Sequence, residues 1–428
     1  MPASDRDKLL SACQDVLKIT RDMVATTDLD ELLGLVITSS MELLEAERAT
    51  LFLYDQTTGE LVSRIAHGAE EIRLPGDAGI AGAVARNRRV LNIPDAYADH
   101  RFNREVDRRT GFRTRNILAV PLLDHDGQLV GVLEVLNKRG AGFSPQDVTL
   151  AETLAAQAGV VLQRARLLAH YLEKLRMEQS LAIAREIQQD LLPRQNPQVA
   201  GFDMAGASWP ADETGGDIYD FFDLGGGRWT LMLADATGHG VGPALVIAEA
   251  RAMLRALSSS AHAGGRPTAA ELDIPAVLTR VNDLLIEDLD SSRFVTCFFA
   301  LLDAAAGLVR YASAGQGPIL FYDRAADHFE ELPATAPPLG VIEAADFREQ
   351  VRRPLRAGDI LALVTDGFFE TLNAAGEQFG IRRIGRILRR HRDLPAAEMI
   401  ARLRKAVDDF AGPAPQADDL TAIVVKKT

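Results

Sequence analysis

Cysteine is nearly absent from this chain of 428 residues, which has only Cys13 and Cys297. Neither belongs to a Cys-x-x-Cys pair, so a disulfide framework and a cysteine-ligated zinc site are both disfavoured. Long apolar runs are also lacking, because no segment approaches the roughly 18 apolar residues of a membrane span. The first eight residues contain no apolar signal-peptide core either. We therefore expect a cytoplasmic protein with no membrane partner.

The chain also lacks an excess of basic residues. The chain has 47 Lys and Arg against 60 Asp and Glu, which gives a formal net charge of −13. A nucleic-acid backbone would be repelled by that charge, so we expect no nucleic-acid partner. The length predicts two or three domains.

Four acidic turns stand out in the C-terminal half, each beside an apolar run: Asp217, Asp235, Asp366 and Asp418. Most of these runs are typical of buried strands, whose ends can meet even when they are far apart in sequence. Gathered carboxylates repel one another unless a cation neutralises them. All-oxygen ligands favour Mg²⁺ or Mn²⁺. The alternative is that each Asp only satisfies local backbone donors in its turn.

From about residue 180 the chain resembles the metal-dependent protein serine/threonine phosphatases of the PPM family, in its bacterial, SpoIIE-like branch. The resemblance rests on these four turns, on Ala184 to Pro193 ahead of them, and on Phe294-Val-Thr296 and Gly376-Glu-Gln-Phe379-Gly380. It implies an αββα sandwich and two metal ions. The implied ligands and catalytic residues are Asp217, Asp235, Asp366, Asp418 and the carbonyl of Ala236, with Asp235 bridging the ions and Asp419 less certain as a direct ligand.

His239 lies between two glycines shortly after Asp235. An imidazole there has the titration range of an acid that could protonate a leaving serine or threonine oxygen. The alternative is that the turn needs small or flexible residues and that His239 is incidental.

The N-terminal half has a different pattern. We predict helices over residues 5–23 and 29–47, one β-hairpin from strands 48–54 and 60–66, and a second from 116–123 and 129–136. Over roughly residues 25–165 the chain resembles a GAF domain, closest to the cyclic-nucleotide type. The residues that carry this resemblance include Gly79-Ile80-Ala81-Gly82, Thr114-Arg115-Asn116 and Asn137-Lys138.

Gly79, Ile80, Ala81 and Gly82 are predicted to lie where a loop enters a helix. Free amides and the helix dipole at such a position favour a phosphate group. Together with Thr114 they form the predicted ligand site, for which cyclic AMP or cyclic GMP is the candidate. A GAF fold can also bind other small molecules or serve only for dimerisation.

A long helix is predicted between the two halves, over about residues 146–192. Two apolar seams follow one another along it, the first from Val161 to Leu175 and the second, out of phase, from Met177 to Leu191. The pattern indicates either a parallel coiled coil in a homodimer or one amphipathic helix that packs first on the sensor and then on the phosphatase.

We thus predict an α+β protein with an N-terminal helix (1–24), a GAF domain with an antiparallel sheet (25–165), a helical coiled-coil linker (166–195) and a PPM-type phosphatase domain (196–428). Its expected function is dephosphorylation of serine or threonine on a partner protein, such as an anti-sigma-factor antagonist. The alternative is a nucleotide-responsive scaffold with a weak or inactive phosphatase domain.

Overall fold

The computed structural model describes residues 3–63, 72–140, 142–260, 272–290, 292–351 and 354–428, with side chains from residue 14 onward. The chain divides into two compact units, Met1–Arg176 and Met177–Thr428. No helix in these ranges combines the length and the apolar character that a bilayer crossing requires.

The first unit is built on one antiparallel sheet with strand order β3-β2-β1-β6-β5-β4. Its strands are β1 (Ala46–Asp55), β2 (Glu60–Ser63), β3 (Ile72–Pro75), β4 (Leu91–Ile93), β5 (Ile117–Leu123) and β6 (Leu129–Lys138). Its helices are α1 (Ala3–Ala25), α2 (Leu29–Leu43), α3 (Gly79–Asn87) and α4 (Arg104–Thr110).

Local turn chemistry fixes both predicted hairpins. Between β1 and β2, the Asp55 carboxylate accepts hydrogen bonds from the amides of Thr57 (2.8 Å) and Thr58 (3.3 Å). Between β5 and β6, Asp124 accepts from the amides of Asp126 (3.0 Å) and Gln128 (2.8 Å). Short side chains of this kind replace backbone partners in a tight turn. The hairpins therefore form where the sequence predicts them.

Two boundaries differ from the prediction. The second helix ends at Leu43 rather than at residue 47, because Glu45 adopts a left-handed conformation (φ 49°) and Ala46 already pairs with Lys138 in the sheet. The predicted strand 60–66 is seen as Glu60–Ser63, and its last three positions lie outside the described residues.

Helix α5 (Pro145–Leu191) is continuous over 47 residues. Its first part packs on the hydrophobic core of the first unit, here called the sensor core. The buried residues of α5 in this core are Ala151, Leu154, Ala158, Val161, Leu162 and Ala165. Val161 and Ala165 of the first predicted seam are therefore already in contact with that core. Farther along, Leu168 and Leu172 of the same seam are 36% and 45% exposed.

The second unit contains two antiparallel sheets, with strand orders β15-β12-β11-β10-β9 and β14-β13-β16-β17-β8-β7. The strands are β7 (Gln198–Val199), β8 (Phe202–Trp209), β9 (Asp217–Gly225), β10 (Arg228–Ala236), β11 (Val295–Asp303), β12 (Leu308–Ala314), β13 (Ile319–Asp323), β14 (His328–Leu332), β15 (Gln350–Val351), β16 (Ile360–Val364) and β17 (Leu420–Lys427). The helices are α6 (Val241–Ser260), α7 (Ile274–Asp288), α8 (Asp366–Glu370), α9 (Ile381–Arg390) and α10 (Ala396–Ala411).

The alternation of side chains along each strand produces three core layers. Tyr219 and Phe221 of β9 join residues of both sheets in a central cluster. Ile218, which directly precedes Tyr219 and projects to the opposite face, packs with α6 and α7 on the outside of the first sheet. Helices α9 and α10 cover the second sheet in the same way. The unit is thus an αββα sandwich, and the predicted fold class is confirmed.

Candidate active site

The site begins with a pair of facing carboxylates. Asp217 is the first residue of β9, and Asp235 lies directly opposite it on β10. Directly opposed residues of an antiparallel pair project to the same face of the sheet. Asp217 alternates with Tyr219 and Phe221, so both acids belong to the face that meets the second sheet.

Residues at the ends of β16 and β17 bring the second sheet to Asp217. Thr365 follows β16, and its hydroxyl donates a 2.7 Å hydrogen bond to the Asp217 carboxylate. The Thr365 hydroxyl also accepts a 3.0 Å hydrogen bond from the amide of Thr421 on β17. The first predicted acid is therefore fixed at the junction of the two sheets by a residue 148 positions away. Thr365 was not predicted as part of the site, although it directly precedes Asp366.

The remaining acids come from the two turns that follow and precede these strands. Asp366 begins α8, and its carboxylate accepts a 2.9 Å hydrogen bond from the amide of Gly367. Asp418 stands just before β17 and is exposed. Asp419 is buried, and it accepts from the amides of Ala211 (2.7 Å) and Asp217 (3.2 Å). Its oxygens therefore fix backbone next to the site, a role that differs from direct ligation.

Burial and like charge act together on these groups. Burial, followed by the charges of Asp235 and Asp419, raises the pKa of Asp217 well above its ordinary value. Burial and the carboxylates of Asp366, Asp418 and Asp419 raise the pKa of Asp235 to about 7. The pKa of Asp366 is raised by burial and by Asp418, and that of Asp419 mainly by burial. The structure thus brings the predicted acids close enough together for their charges to act on one another.

No Lys or Arg within the described ranges forms an ion pair with any of these five Asp side chains. Asp220, three residues farther along β9, differs completely, because Arg251 (3.0 Å) and Arg255 (2.5 Å) both pair with its carboxylate. The acid cluster consequently has negative charge without a counter-cation from the protein. Hard oxygen donors with unneutralised charge fit Mg²⁺ or Mn²⁺. As the side chains stand, no set of three or more Asp, Glu, His or Cys in the described part is positioned to hold one metal ion.

The two glycines before Asp217 are needed because the site is crowded. A Cβ atom at Gly215 would overlap the Asp419 carboxylate, and one at Gly216 would lie 2.6 Å from the carbonyl oxygen of Ala236. The predicted carbonyl ligand, that of Ala236, therefore lies beside the backbone that leads into Asp217. This close approach explains why the sequence has Gly-Gly-Asp here.

Two further polar residues, His239 and Gln316, follow strands of the first sheet and have defined hydrogen-bond partners. The exposed His239 ring places Nδ1 2.5 Å from the Asp212 carboxylate, so the ring has a hydrogen-bond partner. Gln316, which lies between β12 and β13, is buried. Its carbonyl accepts from the Thr296 hydroxyl (2.8 Å), and its amide donates to the Val364 carbonyl (3.2 Å). Gln316 therefore links β11 to the end of β16.

In the first unit, the predicted ligand residues lie at the start of α3. Gly79 has φ +70° and begins the helix, while Ile80, Ala81 and Gly82 are buried. The amide of Ala81 donates to the Glu134 carboxylate, whose pKa burial raises to about 7. One amide of the predicted phosphate site thus already has an acidic partner.

Thr114, the fifth predicted ligand residue, is also engaged. It is buried, and its amide and hydroxyl both donate to the Asp107 carboxylate at 2.7 Å. The Thr114 side chain, which was predicted to belong to the ligand site, is therefore already hydrogen bonded to Asp107 within the protein.

Comparison with protein families assigns both halves of the chain. Residues 225–428 match the family described as stage II sporulation protein E (SpoIIE), and residues 28–162 match the GAF domain family. Asp235, Asp366, Asp418 and Asp419 fall inside the first match, whereas Asp217 lies just before it. Both predicted domain families are confirmed.

Individual relatives cover parts of the chain. A probable 3′,5′-cyclic phosphodiesterase, pde-5 of Caenorhabditis elegans, is 34% identical over 195 residues, which is 42% of this chain and 26% of the relative. The cGMP-specific 3′,5′-cyclic phosphodiesterase of Drosophila melanogaster is 31% identical over 190 residues, 40% of this chain and 17% of the relative. This chain thus spans about a quarter or less of the length of these relatives.

One solved structure is similar over a larger share of this chain. The SiaA-PP2C domain of Pseudomonas aeruginosa is 23% identical and covers 59% of this chain and 98% of its own, with a TM-score of 0.52. At that identity the similarity shows a shared fold.

The raised pKa values predict that the metal-free protein loses stability as pH rises. The folded state binds more protons than the unfolded state between about pH 4, the ordinary range of Asp, and about pH 7. The free energy of unfolding should therefore fall across this window. We expect Asp235→Asn to remove part of the fall and to stabilise the metal-free protein at pH 8 by roughly 1–3 kcal/mol, since one pKa unit corresponds to about 1.4 kcal/mol.

Urea unfolding in the presence of a chelator, at pH 5 and pH 8, measures this effect. Asp223→Asn, at an exposed position of the neighbouring strand β9, is the matched control and should change neither value. Equal stability of wild type and Asp235→Asn at both pH values would show that the acids do not repel one another.

Proposed function

We propose that this chain, with its SpoIIE-family phosphatase domain behind a GAF domain, is a metal-dependent protein serine/threonine phosphatase whose activity the GAF domain regulates. The observation that carries the proposal is the cluster of Asp217, Asp235, Asp366 and Asp418 at the ends of strands from both sheets. The cluster has neither a counter-cation nor a nucleophilic cysteine beside it in the described residues. The family match over residues 225–428 supports the same activity.

Each acid has a proposed task. In the proposed centre Asp235 would be shared by two Mg²⁺ or Mn²⁺ ions, Asp366 and Asp418 would hold one of them, and Asp217 with the Ala236 carbonyl would hold the other, as the resemblance implies. Such a pair of ions activates water and stabilises charge on a phosphoryl group in transfer. Thr365 holds Asp217 in place, and Asp419 holds the backbone of Ala211 and Asp217. His239, oriented by Asp212, remains available as an acid for the leaving oxygen.

The proposed substrate is a phosphorylated serine or threonine on another protein. The acids lie at strand ends, and Asp418 is exposed, so that a phosphorylated segment of a partner can approach. An anti-sigma-factor antagonist is the partner class that we propose on the resemblance.

Substitution of the acids tests the activity. Asp235→Asn and Asp366→Asn should each lower kcat/KM for a phosphoserine peptide, in Mn²⁺, by on the order of 100-fold or more, because each removes charge from the proposed metal sites. Asp223→Asn is the control and should leave the rate unchanged. Full activity in either active-site variant would refute the assignment.

We also propose a cyclic nucleotide as the GAF ligand. The support is the sequence resemblance together with the glycine-rich start of α3, and the relatives named above are cyclic-nucleotide phosphodiesterases. The Glu134 carboxylate on the Ala81 amide would compete with a phosphate for this position.

Glu134→Gln should therefore tighten binding of cyclic AMP or cyclic GMP by about 3- to 5-fold, the effect of one anion at a helix N-terminus. Calorimetric titration of the full chain measures it, with Glu152→Gln on the exposed side of α5 as the control. The proposal fails if wild type and both variants bind neither nucleotide.

The final part of the proposal is a parallel homodimer through α5. Large apolar side chains stay exposed on the helix beyond the sensor core: Leu167, Leu168, Tyr171, Leu172 and Met177. Leu168 and Leu172 keep the spacing of a coiled-coil seam, so a second copy of the same helix would cover them.

Leu168→Glu combined with Leu172→Glu should convert the dimer to a monomer, because two charges would be buried in the seam. Light scattering at assay concentration measures the mass. Glu173→Lys, at an exposed position beside the seam, is the control and should leave the mass unchanged. A wild-type protein that is monomeric and still responds to ligand would contradict the dimer.

A further inference from the structure

Gln188, in the last two turns of α5, forms a two-way hydrogen bond with the backbone of Gly215. Its side-chain amide donates to the Gly215 carbonyl at 2.6 Å, and its side-chain oxygen accepts from the Gly215 amide at 3.0 Å. Both residues belong to the second unit. The helix is thus joined to the chain two residues before Asp217.

The segment on the receiving side of this contact has little room to move. Gly215 lies against the Asp419 carboxylate and Gly216 lies against the Ala236 carbonyl, in each case too closely for a Cβ atom. The Gly216 carbonyl also accepts a 3.0 Å hydrogen bond from the Ala236 amide. A displacement of Gly215 would therefore be passed on to Asp217, Asp419 and Ala236.

The residue type at position 188 is informative. The second-unit part of α5 turns one partly buried stripe inward, formed by Leu181, Ala184, Gln188 and Leu191. An apolar side chain would suit that stripe, since a polar amide is costly to bury unless both its donor and its acceptor are bonded. Glutamine satisfies both requirements against the backbone N–H and C=O of a single residue, Gly215.

We propose that Gln188 is a positioning residue for the metal centre, which ties the last turns of α5 to the backbone that holds Asp217 and Asp419. The inference rests on the proposed function of that centre. Any axial shift or rotation of these turns would break the paired hydrogen bonds and release the Gly215–Gly216 segment. Metal affinity then depends on the axial position and the rotation of the last turns of α5.

Direct binding of Mn²⁺ to the full chain tests this inference, measured by calorimetry so that the readout does not depend on turnover. Gln188→Ala and Gln188→Glu should weaken Mn²⁺ binding by about 10- to 100-fold, the usual effect of losing a group that orients metal ligands. Glutamate keeps the volume and the acceptor but loses the donor. Gln189→Ala, at the exposed neighbouring position, is the matched control and should bind as wild type does.

Thermal unfolding and activity separate positioning from a merely structural role. We expect the variants to unfold near the wild-type temperature in chelator, and their turnover of a small phosphate ester to recover at high Mn²⁺ concentration. Unchanged Mn²⁺ affinity in Gln188→Glu would overturn the inference. This holds even if Gln188→Ala does not fold, because the Glu variant then decides the test alone.

Failure of the proposed function has a different signature. A wild type that neither binds Mn²⁺ nor hydrolyses the ester refutes the function itself. A wild type that does both, with Gln188 variants that match it, refutes only the role of Gln188.

Discussion

Unneutralised negative charge at the junction of two sheets is the constraint on which the second unit depends. Asp217 and Asp235 face each other on adjacent strands, and burial and neighbouring carboxylates raise the pKa of both. Burial of like charges disfavours folding unless a cation or protons compensate. Two arginines neutralise Asp220 on the same strand, so this fold supplies counter-cations elsewhere. Within the described residues no Lys or Arg pairs with the acid cluster in this way, so its carboxylates have no basic side chain as counter-charge.

The hydrogen-bond donors that the described residues offer to the cluster and to the backbone beside it are neutral. The Thr365 hydroxyl donates to Asp217, backbone amides donate to Asp419, and the Gln188 side chain bonds the backbone N–H and C=O of Gly215. Each group fixes the position of an acid without adding a full positive charge. Neutral donors orient a carboxylate while leaving it able to bind metal, whereas a lysine or arginine would compete with the ion. The same reasoning explains the glycines at 215 and 216, which let backbone approach closely where side chains would fill the site.

Much of this arrangement could be predicted from the sequence, because the signals are local. Each of the four acids stands beside an apolar run, and strand ends of a sandwich can meet, so Asp217, Asp235, Asp366 and Asp418 were predictable as a group. The hairpin turns at Asp55 and Asp124 were predictable for the same reason. The bond from Thr365 to Asp217 spans 148 residues, and the one from Ala211 to Asp419 spans 208. Contacts at that separation leave no periodic pattern, and only the folded sheets reveal them.

Helix α5 shows why a seam in sequence does not determine its partner. Val161 and Ala165 continue the same stripe as Leu168 and Leu172, yet the first two are buried against the sensor core and the other two are exposed. The stripe is therefore buried within the chain at one end and exposed at the other. Beyond it, Ile183 and Ile187 are exposed while the intervening Ala184 and the following Gln188 turn inward. The second part of the helix thus has an exposed apolar face and, at Gln188, a polar side chain that is hydrogen bonded to the backbone of Gly215.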